Sequence, residues 1–370
     1  MARGDHSHPK PPADRSVKSV VLGDLLFKTW FHSIYPEELV GKDTDRLYVC
    51  PWCFRYSCNV DAYAGHTRVC PHRTSPPGTK IYEHGGYAVW ELDGEKHKLF
   101  AQNLSLFAKL FLDHKSVFFD VASFLYYILT YSDSQQNSNP RGGGGYHVLG
   151  YFSKEKLSWD ANNLACILIF PPYQHKQLGK LLMGVSYKLS GWEWEGGLIG
   201  GPERPLSEMG RRSYCRFWEE RIARYFLLGP PGSDPDESVL QKQSQQNGAA
   251  AAGKGATGKK RPARERMTVR DIGLATGMLT EDVITALKGM GVVEPEKAGK
   301  KRKRTTSSSG RDGEDDAEHG ETVTIRKSNV LEWAKIHNVS LRDPVRDEGF
   351  LGEWAPEKLR RKREEQSQSD

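Results

Sequence analysis

The chain has 370 residues, a formal net charge of +6 and a hydrophobic fraction of 37%, so it is long and apolar enough for two or three folded domains. No apolar run approaches the ~20 residues that span a bilayer, and the first 15 residues show no secretory signal. These features predict a soluble intracellular protein and exclude a transmembrane or secreted one.

Folded and low-complexity segments alternate along the chain. Residues 229–264 are rich in Pro, Gly, Ala, Ser and Gln, and residues 297–320 are mostly charged or small, so both bury too little apolar surface to order themselves. The predicted segments are a disordered N-terminus (1–19), a small folded module (20–75), a larger core (76–228), a disordered basic linker (229–264), a helix-turn-helix (265–296), a disordered basic and acidic insert (297–320), a strand–helix segment (321–356) and a charged tail (357–370).

Four of the six cysteines lie between positions 50 and 70. The spacing C-x2-C-x12-H-x3-C is formed by Cys50, Cys53, His66 and Cys70. A short knuckle delivers the first pair and a helix presents the second pair one turn apart, which suits tetrahedral zinc. The alternative is a reduced cysteine cluster in which Cys58 or His72 is equally eligible. Four protein ligands leave no open coordination position, so we predict a structural zinc ion.

The core region mixes strand and helix patterns. The stretch YAVWELDGEKHKLFAQ predicts two strands joined at Asp93-Gly94, and NLSLFAKLFL predicts an amphipathic helix. KSVFF predicts a strand, VASFLYYILTY a helix, and HVLGYF another strand. This order predicts a mixed α/β arrangement with one layered sheet.

A buried strand is predicted from Leu164 to Phe170, where two prolines stop it. A helical stripe of leucines and a valine follows from Lys176 onward. The loop from Gln174 to Gly179 therefore lies at a helix N-terminus, where free amide groups and the helix dipole can hold an anion such as a pyrophosphate. Many loops of this kind bind nothing, so the loop alone does not establish a site.

Two short helices around Gly277 are predicted in the C-terminal region, with Thr280 as the N-cap of the second. The stretch TVTIRKSNVLEWAKIHN predicts a strand followed by a helix that completes a winged-helix-like unit. Three basic runs, at residues 259–266, 300–304 and 358–363, are either solvated flexible segments or elements for nuclear import and nucleic-acid contact. The two interpretations are compatible.

Ordered blocks covering about residues 27–228 resemble the MYST family of histone acetyltransferases. The blocks are KTWFHSIYPEEL, the cysteine cluster, FAQNLSLFAKLFLDHKSVFFDV, HVLGYFSKEK, CILIFPPYQHKQLGKLLMGVSYKLS and GGPERPLSEMGRRSYCRFW. DEGFLGEWAP, near the end of the chain, is similar to the C-terminal helix-turn-helix part of the family. No chromodomain-like segment precedes the cysteine cluster, so the chain resembles the short fungal silencing-complex subtype.

The resemblance implies an α+β fold with an N-terminal CCHC zinc-finger module, a central GNAT-like mixed α/β acetyl-CoA core and a C-terminal winged-helix-like segment, interrupted by disordered inserts. It implies that Glu203 is the general base, Cys166 the active-site cysteine and Lys115 a lysine that becomes autoacetylated. The acetyl-CoA contacts that it implies are Ile167, Leu168, Ile169, Gln174, His175, Lys176, Gln177, Leu178, Gly179, Lys180 and Ser207.

These residue types suit acetyl transfer from a thioester to a lysine. A lysine side chain has a pKa of ~10.4 and needs a base before its amine can attack, and a carboxylate such as Glu203 in an apolar pocket can serve, because burial raises its pKa. Strand amides beside Cys166 can donate to the thioester oxygen. Cys166 either forms an acetyl-enzyme or lines the pocket. We favour the lining role, because direct attack needs no second acylation step.

The loop departs from the family pattern Gln-Arg-x-Gly-x-Gly at two positions. His175 stands where the arginine is expected and Gln177 where the first glycine is expected. Glycine permits a positive φ and a close approach of backbone to phosphate. If Gln177 keeps that conformation, the cost is about 1–3 kcal/mol. Lys176 and Lys180 can replace the missing positive charge.

The predicted function is a nuclear, chromatin-associated histone acetyltransferase that uses acetyl-CoA, with a histone tail, preferably that of histone H4, and nucleosomes as partners. We also expect accessory subunits of a chromatin complex and nonspecific DNA contact through the basic runs. We expect no membrane partner. The alternative is a catalytically weak chromatin-binding scaffold subunit, which His175 and Gln177 keep open. A sequence-specific DNA-binding factor is disfavoured, since the chain has a single zinc finger and no clear reading helix.

Overall fold

A computed structural model describes residues 16–132, 145–194, 199–229, 264–295 and 322–366. The chain divides into two compact units, the first containing residues 1–192, 202–205 and 344–370, and the second residues 193–201 and 206–343. Apart from residues 16–19, 229 and 264, the segments predicted to be disordered lie outside the described residues. The first strand begins at residue 17, inside the segment predicted as a disordered N-terminus.

The first unit contains a four-stranded sheet, a five-stranded sheet, one short strand that belongs to neither, and flanking helices. Its strands are β1 (Val17–Leu22), β2 (Leu25–Lys28), β3 (Thr44–Val49), β4 (Tyr56–Ser57), β5 (Thr79–His84), β6 (Tyr87–Asp93), β7 (Phe124–Tyr131), β8 (His147–Glu155), β9 (Asn162–Leu164) and β10 (Cys166–Ile169). Its helices are α1 (Val60–Val69), α2 (Lys98–Lys109) and α3 (Leu178–Glu193), whose last residue belongs to the second unit. The short strand β11 (Gly201–Pro202) lies where the chain passes from the second unit back into the first.

The strand orders are β2-β1-β3-β4 in the smaller sheet and β10-β8-β7-β6-β5 in the larger one. Every neighbouring pair in the larger sheet is antiparallel. Helix α2, which the sequence predicts, buries Phe100, Leu104 and Phe107 in a core shared by both sheets. This shared core fixes the N-terminal module against the sheet that carries β10.

The hairpin predicted at Asp93-Gly94 is wrong, because α2 follows Gly94 instead of a strand. The Asp93 carboxylate accepts a hydrogen bond from the Glu95 amide (2.8 Å), which turns the chain toward the helix. Gly94 donates its amide to the Phe124 carbonyl (2.9 Å), and a Cβ on Gly94 would lie 2.0 Å from the Val121 carbonyl oxygen. Glycine is therefore required for close backbone approach rather than for a hairpin.

The helix predicted for VASFLYYILTY is also wrong, because β7 occupies most of that stretch. Both faces of β7 are buried in the middle of the sheet, so its apolar residues form a continuous run that a buried helix would also show. The strand predicted for KSVFF is not formed, while the predicted strand at HVLGYF is confirmed as β8. The strand predicted at 164–170 is divided between β9 and β10 at residue 165.

The C-terminal residues of the chain belong to the first unit and lie on edge strand β5. Leu351 donates its amide to the Ile81 carbonyl (2.8 Å), and the Phe350 ring packs on Tyr82 and Trp192 at centroid distances of 5.1 and 4.6 Å. Helix α8 (Pro356–Gln366) follows, and includes most of the predicted charged tail. Residues 344–370 thus belong to the same unit as residues 1–192, and they contact it at edge strand β5.

The second unit contains helices and one two-stranded antiparallel sheet. Its elements are α4 (Glu208–Leu228), β12 (Arg264–Thr268), α5 (Val269–Thr276), α6 (Thr280–Met290), β13 (Thr322–Arg326) and α7 (Lys327–Ile336), with β12 antiparallel to β13. The helix pair predicted around Gly277 is present, and Gly277 ends α5 at a φ of +62°. Thr280 is not the N-cap of α6, because Leu279 occupies that position without a side-chain hydrogen bond. The winged-helix comparison stays a prediction.

Among the described residues, no helix combines the length and the apolar character that crossing a membrane requires.

Candidate active site and metal centre

Four predicted metal ligands converge in the N-terminal module. The side chains are those of Cys50, Cys53, His66 and Cys70, and their ligand atoms all lie within 4.8 Å of one another. The Cys50 and Cys70 sulfurs are 3.7 Å apart, and the Cys53 sulfur is 3.1 Å from Nε2 of His66. In the part of the chain that the structure describes, this is the only group of three or more such residues placed to share an ion.

The local sequence explains how the ligands are brought together. Cys50 follows β3, and the turn after it is closed by a hydrogen bond from the Phe54 amide to the Cys50 carbonyl (3.0 Å). Phe54 adopts a φ of +61°, and its buried ring packs against Phe100 and other core aromatics. The Asn59 side chain caps α1, which carries His66. The knuckle is therefore anchored in the core and the helix starts at a defined residue.

This donor set fits a structural zinc ion. Three thiolates and an imidazole are preferred zinc ligands, and a tetrahedron with Zn–S bonds of about 2.3 Å places two sulfurs about 3.8 Å apart, close to the Cys50–Cys70 separation. Cys58 is exposed and lies against the Leu39 carbonyl, and the His72 ring packs on Phe100. The alternative ligands left open by the sequence therefore lie outside the cluster.

Glu203, the predicted general base, lies directly after β11 in the first unit. Its amide donates a hydrogen bond to the Leu164 carbonyl (2.9 Å), which fixes its backbone at the end of β9. The pKa of Glu203 is raised by partial burial and by the Glu155 carboxylate, against the opposing charge of Lys115. The residue is exposed, so the expected apolar pocket does not enclose it, and partial desolvation raises its pKa instead.

Cys166 and Lys115, the other two predicted catalytic-site residues, lie near Glu203 within the first unit. Cys166 is half-buried at the start of β10, opposite Ser153 of β8. Lys115 is only 5% exposed, and this burial lowers its pKa against the opposing charges of Cys166 and Glu203. The structure therefore brings together three residues that span 88 positions of the sequence, from 115 to 203.

Sequence reasoning missed several side chains near this group. Tyr126 is buried and its hydroxyl is 3.0 Å from that of Ser105, and burial is the main reason that its pKa is raised to about 12. Tyr151 and Ser153 are buried, and they alternate along β8 on the face that carries Cys166 on β10. Period-two spacing in HVLGYFSKEK is the signal that identifies them once the strand register is known.

The loop between β10 and α3 contains the predicted acetyl-CoA contacts. Gln174 donates its side-chain amide to the Ile169 carbonyl (2.9 Å), and α3 begins at Leu178. His175 and Gln177 have φ values of +63° and +64°, and both are exposed. The loop therefore uses two left-handed residues that are not glycine to enter the helix, a conformation that costs about 1–2 kcal/mol per residue.

The same strand-to-helix region and the cysteine cluster lie within two family matches. The MOZ/SAS family matches residues 75–248, and the MYST family zinc finger domain matches residues 14–70. The chain belongs to the MYST family. Structural zinc in the Cys50–Cys70 cluster is in keeping with the zinc-finger match.

Several curated proteins are similar to this MYST chain. "Histone acetyltransferase MOF" of Drosophila melanogaster is 37% identical over 278 residues, which is 75% of this chain and 28% of that protein. "Histone acetyltransferase Tip60 homolog" of Caenorhabditis elegans is 34% identical over 78% of this chain and 53% of its own length. "Histone acetyltransferase ESA1" of Debaryomyces hansenii is 39% identical over 60% of this chain and 40% of its own length. The chain thus spans from about a quarter to about half of these relatives. The fungal silencing subtype stays a prediction.

The MYST pattern expects glycine where Gln177 lies, and the structure gives that position a positive φ. We expect Gln177→Gly to raise the free energy of unfolding by about 0.5–1 kcal/mol, because glycine removes the left-handed strain. We also expect it to lower the Kd for acetyl-CoA about fivefold, which is about 1 kcal/mol, because the absence of a Cβ lets the pyrophosphate approach the backbone closely. Urea unfolding and calorimetric titration measure the two effects.

Gln177→Ala is the matched control, because alanine removes most of the same side chain but keeps a Cβ and therefore the left-handed strain. It should change the stability by no more than about 0.5 kcal/mol and leave the Kd for acetyl-CoA near that of the wild type. Equal effects of the two substitutions would show that neither the strain nor the Cβ at position 177 limits stability or binding.

The residues predicted to contact acetyl-CoA do not all lie in one unit of the MYST chain. Ile167, Leu168 and Ile169 lie on β10, which continues directly into the loop. A Cβ on Gly150 of β8 would lie 2.3 Å from the Leu168 carbonyl oxygen, so glycine lets β10 approach closely there. Ser207 caps α4 by accepting a hydrogen bond from Gly210 (3.1 Å) and belongs to the second unit, so its cofactor contact stays a prediction.

Proposed function

We propose that this chain transfers the acetyl group of acetyl-CoA to a lysine side chain of a histone. The observation that carries the proposal is the 2.9 Å hydrogen bond from Glu203 to the Leu164 carbonyl, two residues before Cys166. It fixes the backbone of Glu203, whose carboxyl has a raised pKa, at the end of β9 and just before strand β10, which leads into the loop from Gln174 to Gly179. Similarity to several proteins named histone acetyltransferases supports the same conclusion.

Glu203 acts as the general base for the acceptor lysine. Because its pKa is raised, the Glu203 carboxylate is a stronger base than an ordinary glutamate, so it accepts a proton from the lysine ammonium more readily. The neutral amine then attacks the thioester carbonyl, the carbon–sulfur bond breaks, and CoA leaves as a thiolate that takes up the proton lost by the newly acylated nitrogen. Exposure of Glu203 leaves the carboxylate accessible to a polypeptide from outside the unit.

Strand β10 and its loop hold the acetyl donor. β10 lies at the edge of the larger sheet, so backbone groups facing away from β8 are available to the acyl-pantetheine arm. The amides at the start of α3, with Lys176 and Lys180, bind the pyrophosphate. Ser207 is the remaining predicted contact. Acetyl-CoA is consumed in the reaction and is therefore a substrate.

Cys166 lines the acetyl site, and Lys115 is the residue acetylated in cis. Cys166 is half-buried at the head of β10, where it shapes the site. Lys115 is buried with a lowered pKa, so a larger fraction of its amine is neutral and nucleophilic than in an ordinary lysine. Direct attack by the acceptor amine needs no acetyl-cysteine intermediate.

The proposed partners are the tail of histone H4, nucleosomes and accessory subunits of a chromatin complex, and the proposed location is nuclear chromatin. The run at 300–304 and residues 259–263 lie outside the described residues, Arg264 and Arg266 lie in β12, and the run at 358–363 lies in α8. A basic helix can contact DNA phosphates without reading sequence.

A catalytically weak chromatin scaffold is the second candidate function. The left-handed conformation of His175 and Gln177 favours it, because a side chain at the glycine position restricts phosphate approach. The scaffold reading requires that the chain bind nucleosomes without acetylating them.

An acetyl-transfer assay with the full chain, nucleosomes and labelled acetyl-CoA decides between the two functions. We expect incorporation of label into histone, with mass spectrometry locating the acceptor lysine and any acetyl group on Lys115. Nucleosome binding without transfer, also in the presence of candidate partner subunits, would favour the scaffold.

A further inference from the structure

Two large apolar side chains are almost fully exposed on the loop between β8 and β9. Leu157 is 87% exposed and Trp159 is fully exposed, in the segment formed by residues 156–161. Single exposed apolar residues are normal on a protein surface. An exposed tryptophan with a second large apolar residue two positions away is less common, and tryptophan is enriched among residues that dominate binding energies.

This loop is held at both ends by specific contacts. Lys156 forms an ion pair with Asp93 (2.8 Å), and its amide donates to the Ser123 carbonyl (2.9 Å). At the other end the Asn162 amide donates to the Ser158 hydroxyl (3.1 Å), and Ala161 adopts a φ of +52°. The loop therefore presents its apolar side chains from a fixed base, which reduces the entropy lost when a partner binds.

Both ends of the loop also lie beside Glu203. Glu155, which immediately precedes the loop, is close enough for its charge to act on the Glu203 carboxyl. β9, which immediately follows the loop, ends at Leu164, whose carbonyl accepts the Glu203 amide. The loop is thus bounded on both sides by residues that contact or face the general base.

We infer that the segment 156–161 binds the acceptor polypeptide next to its reacting lysine, with Trp159 and Leu157 as specificity-determining contacts. The inference rests on the proposed function, because it places the acceptor at Glu203. The occupant is a lysine- and arginine-rich segment, since Glu155 precedes the loop, Asp160 lies in it and Glu203 lies near Glu155, and these carboxylates attract positive charge. The Trp159 ring offers a face for a cationic side chain, and Leu157 covers its aliphatic stem.

The test measures acetylation and binding separately, using the full chain. The variants are Trp159→Ala, Trp159→Phe, Leu157→Ser and the Trp159→Ala, Leu157→Ser pair. Leu39→Ser is the matched control, because Leu39 is also exposed but lies in the N-terminal module. The binding probe is a short fluorescein-labelled peptide rich in lysine and arginine, and its anisotropy is compared with that of an uncharged peptide of equal length.

We expect Trp159→Ala to raise the KM for the basic acceptor peptide about 5- to 30-fold, as loss of a cation–π and apolar contact would. The kcat and the KM for acetyl-CoA should change less than about twofold, Trp159→Phe should retain most of the affinity, and the Leu39→Ser protein should match the wild type. The anisotropy of the labelled basic peptide should show a loss of binding affinity of the same size for Trp159→Ala.

An unchanged peptide KM and unchanged peptide binding in the double variant would overturn the inference while leaving acetyl transfer by the wild type intact. If instead the wild type transfers no acetyl group, the proposed function fails, and peptide binding alone then decides the inference. Weaker binding by the Trp159→Ala protein would support it, and equal binding would overturn it.

Discussion

Replacing Glu203 with glutamine is expected to lower kcat/KM for acetyl transfer by about 10²- to 10⁴-fold, the range that general-base catalysis supplies. The amide has nearly the same shape as the carboxylate but cannot take the proton of the acceptor ammonium. Since the Glu203 backbone is held by the Leu164 carbonyl, the substitution should leave the fold unchanged. Steady-state kinetics with a fixed acceptor peptide and circular dichroism of both proteins measure the two effects.

The pH profile gives an independent test of the same assignment. The pKa of Glu203 is raised, so its base form is lost as the pH falls through that raised value, and the acid limb of kcat/KM lies above the ordinary glutamate range. Glu155→Gln removes the neighbouring negative charge, which should lower the pKa of Glu203 and move the acid limb to lower pH. Full activity of the Glu203→Gln protein would refute the assignment, whereas an acid limb that Glu155→Gln leaves in place would show that burial alone raises the pKa of Glu203.

Cys53→Ser is expected to release zinc and to lower the free energy of unfolding by at least about 3 kcal/mol, a fraction of the roughly 10–16 kcal/mol that structural zinc supplies at pH 7. The loss should extend beyond the N-terminal module, because the knuckle residue Phe54 packs against Phe100, Phe107 and Phe170 in the shared core. Metal analysis of the purified protein and urea unfolding measure both effects.

Cys58→Ser is the matched control for the zinc prediction. Cys58 is exposed and lies outside the ligand cluster, so the same chemical change should keep the zinc and alter stability by no more than about 0.5 kcal/mol. Equal zinc content and stability in the two variants would show that Cys53 is not a ligand.

The metal centre was predictable because its geometry is local. Spacing alone places His66 and Cys70 one helical turn apart, and the knuckle needs only the residues between Cys50 and Cys53. The strain at Gln177 was predictable in the same way, because the expected glycine marked a position of positive φ before the structure placed Gln177 there.

The remaining features depend on contacts between distant parts of the chain. The strand β7 was mistaken for a helix because burial on both faces hides the two-residue period. Glu155 influences Glu203 only after the strand register and the return of the chain at β11 are known. The exposure of Trp159 likewise follows from tertiary structure, because its sequence neighbours give no reason to expect it outside a core.

The cover over edge strand β5 has a consequence for how the protein is made. Residues 344–366 are synthesised after the rest of the first unit, yet the Leu351–Ile81 hydrogen bond and the Phe350 packing belong to that unit. Until that segment emerges, the sheet that carries the candidate active site has an unprotected border open to pairing with other chains. The nascent protein thus completes its first unit only after residues 344–351 have emerged, and a fragment that stops after α4 would lack the segment that covers β5.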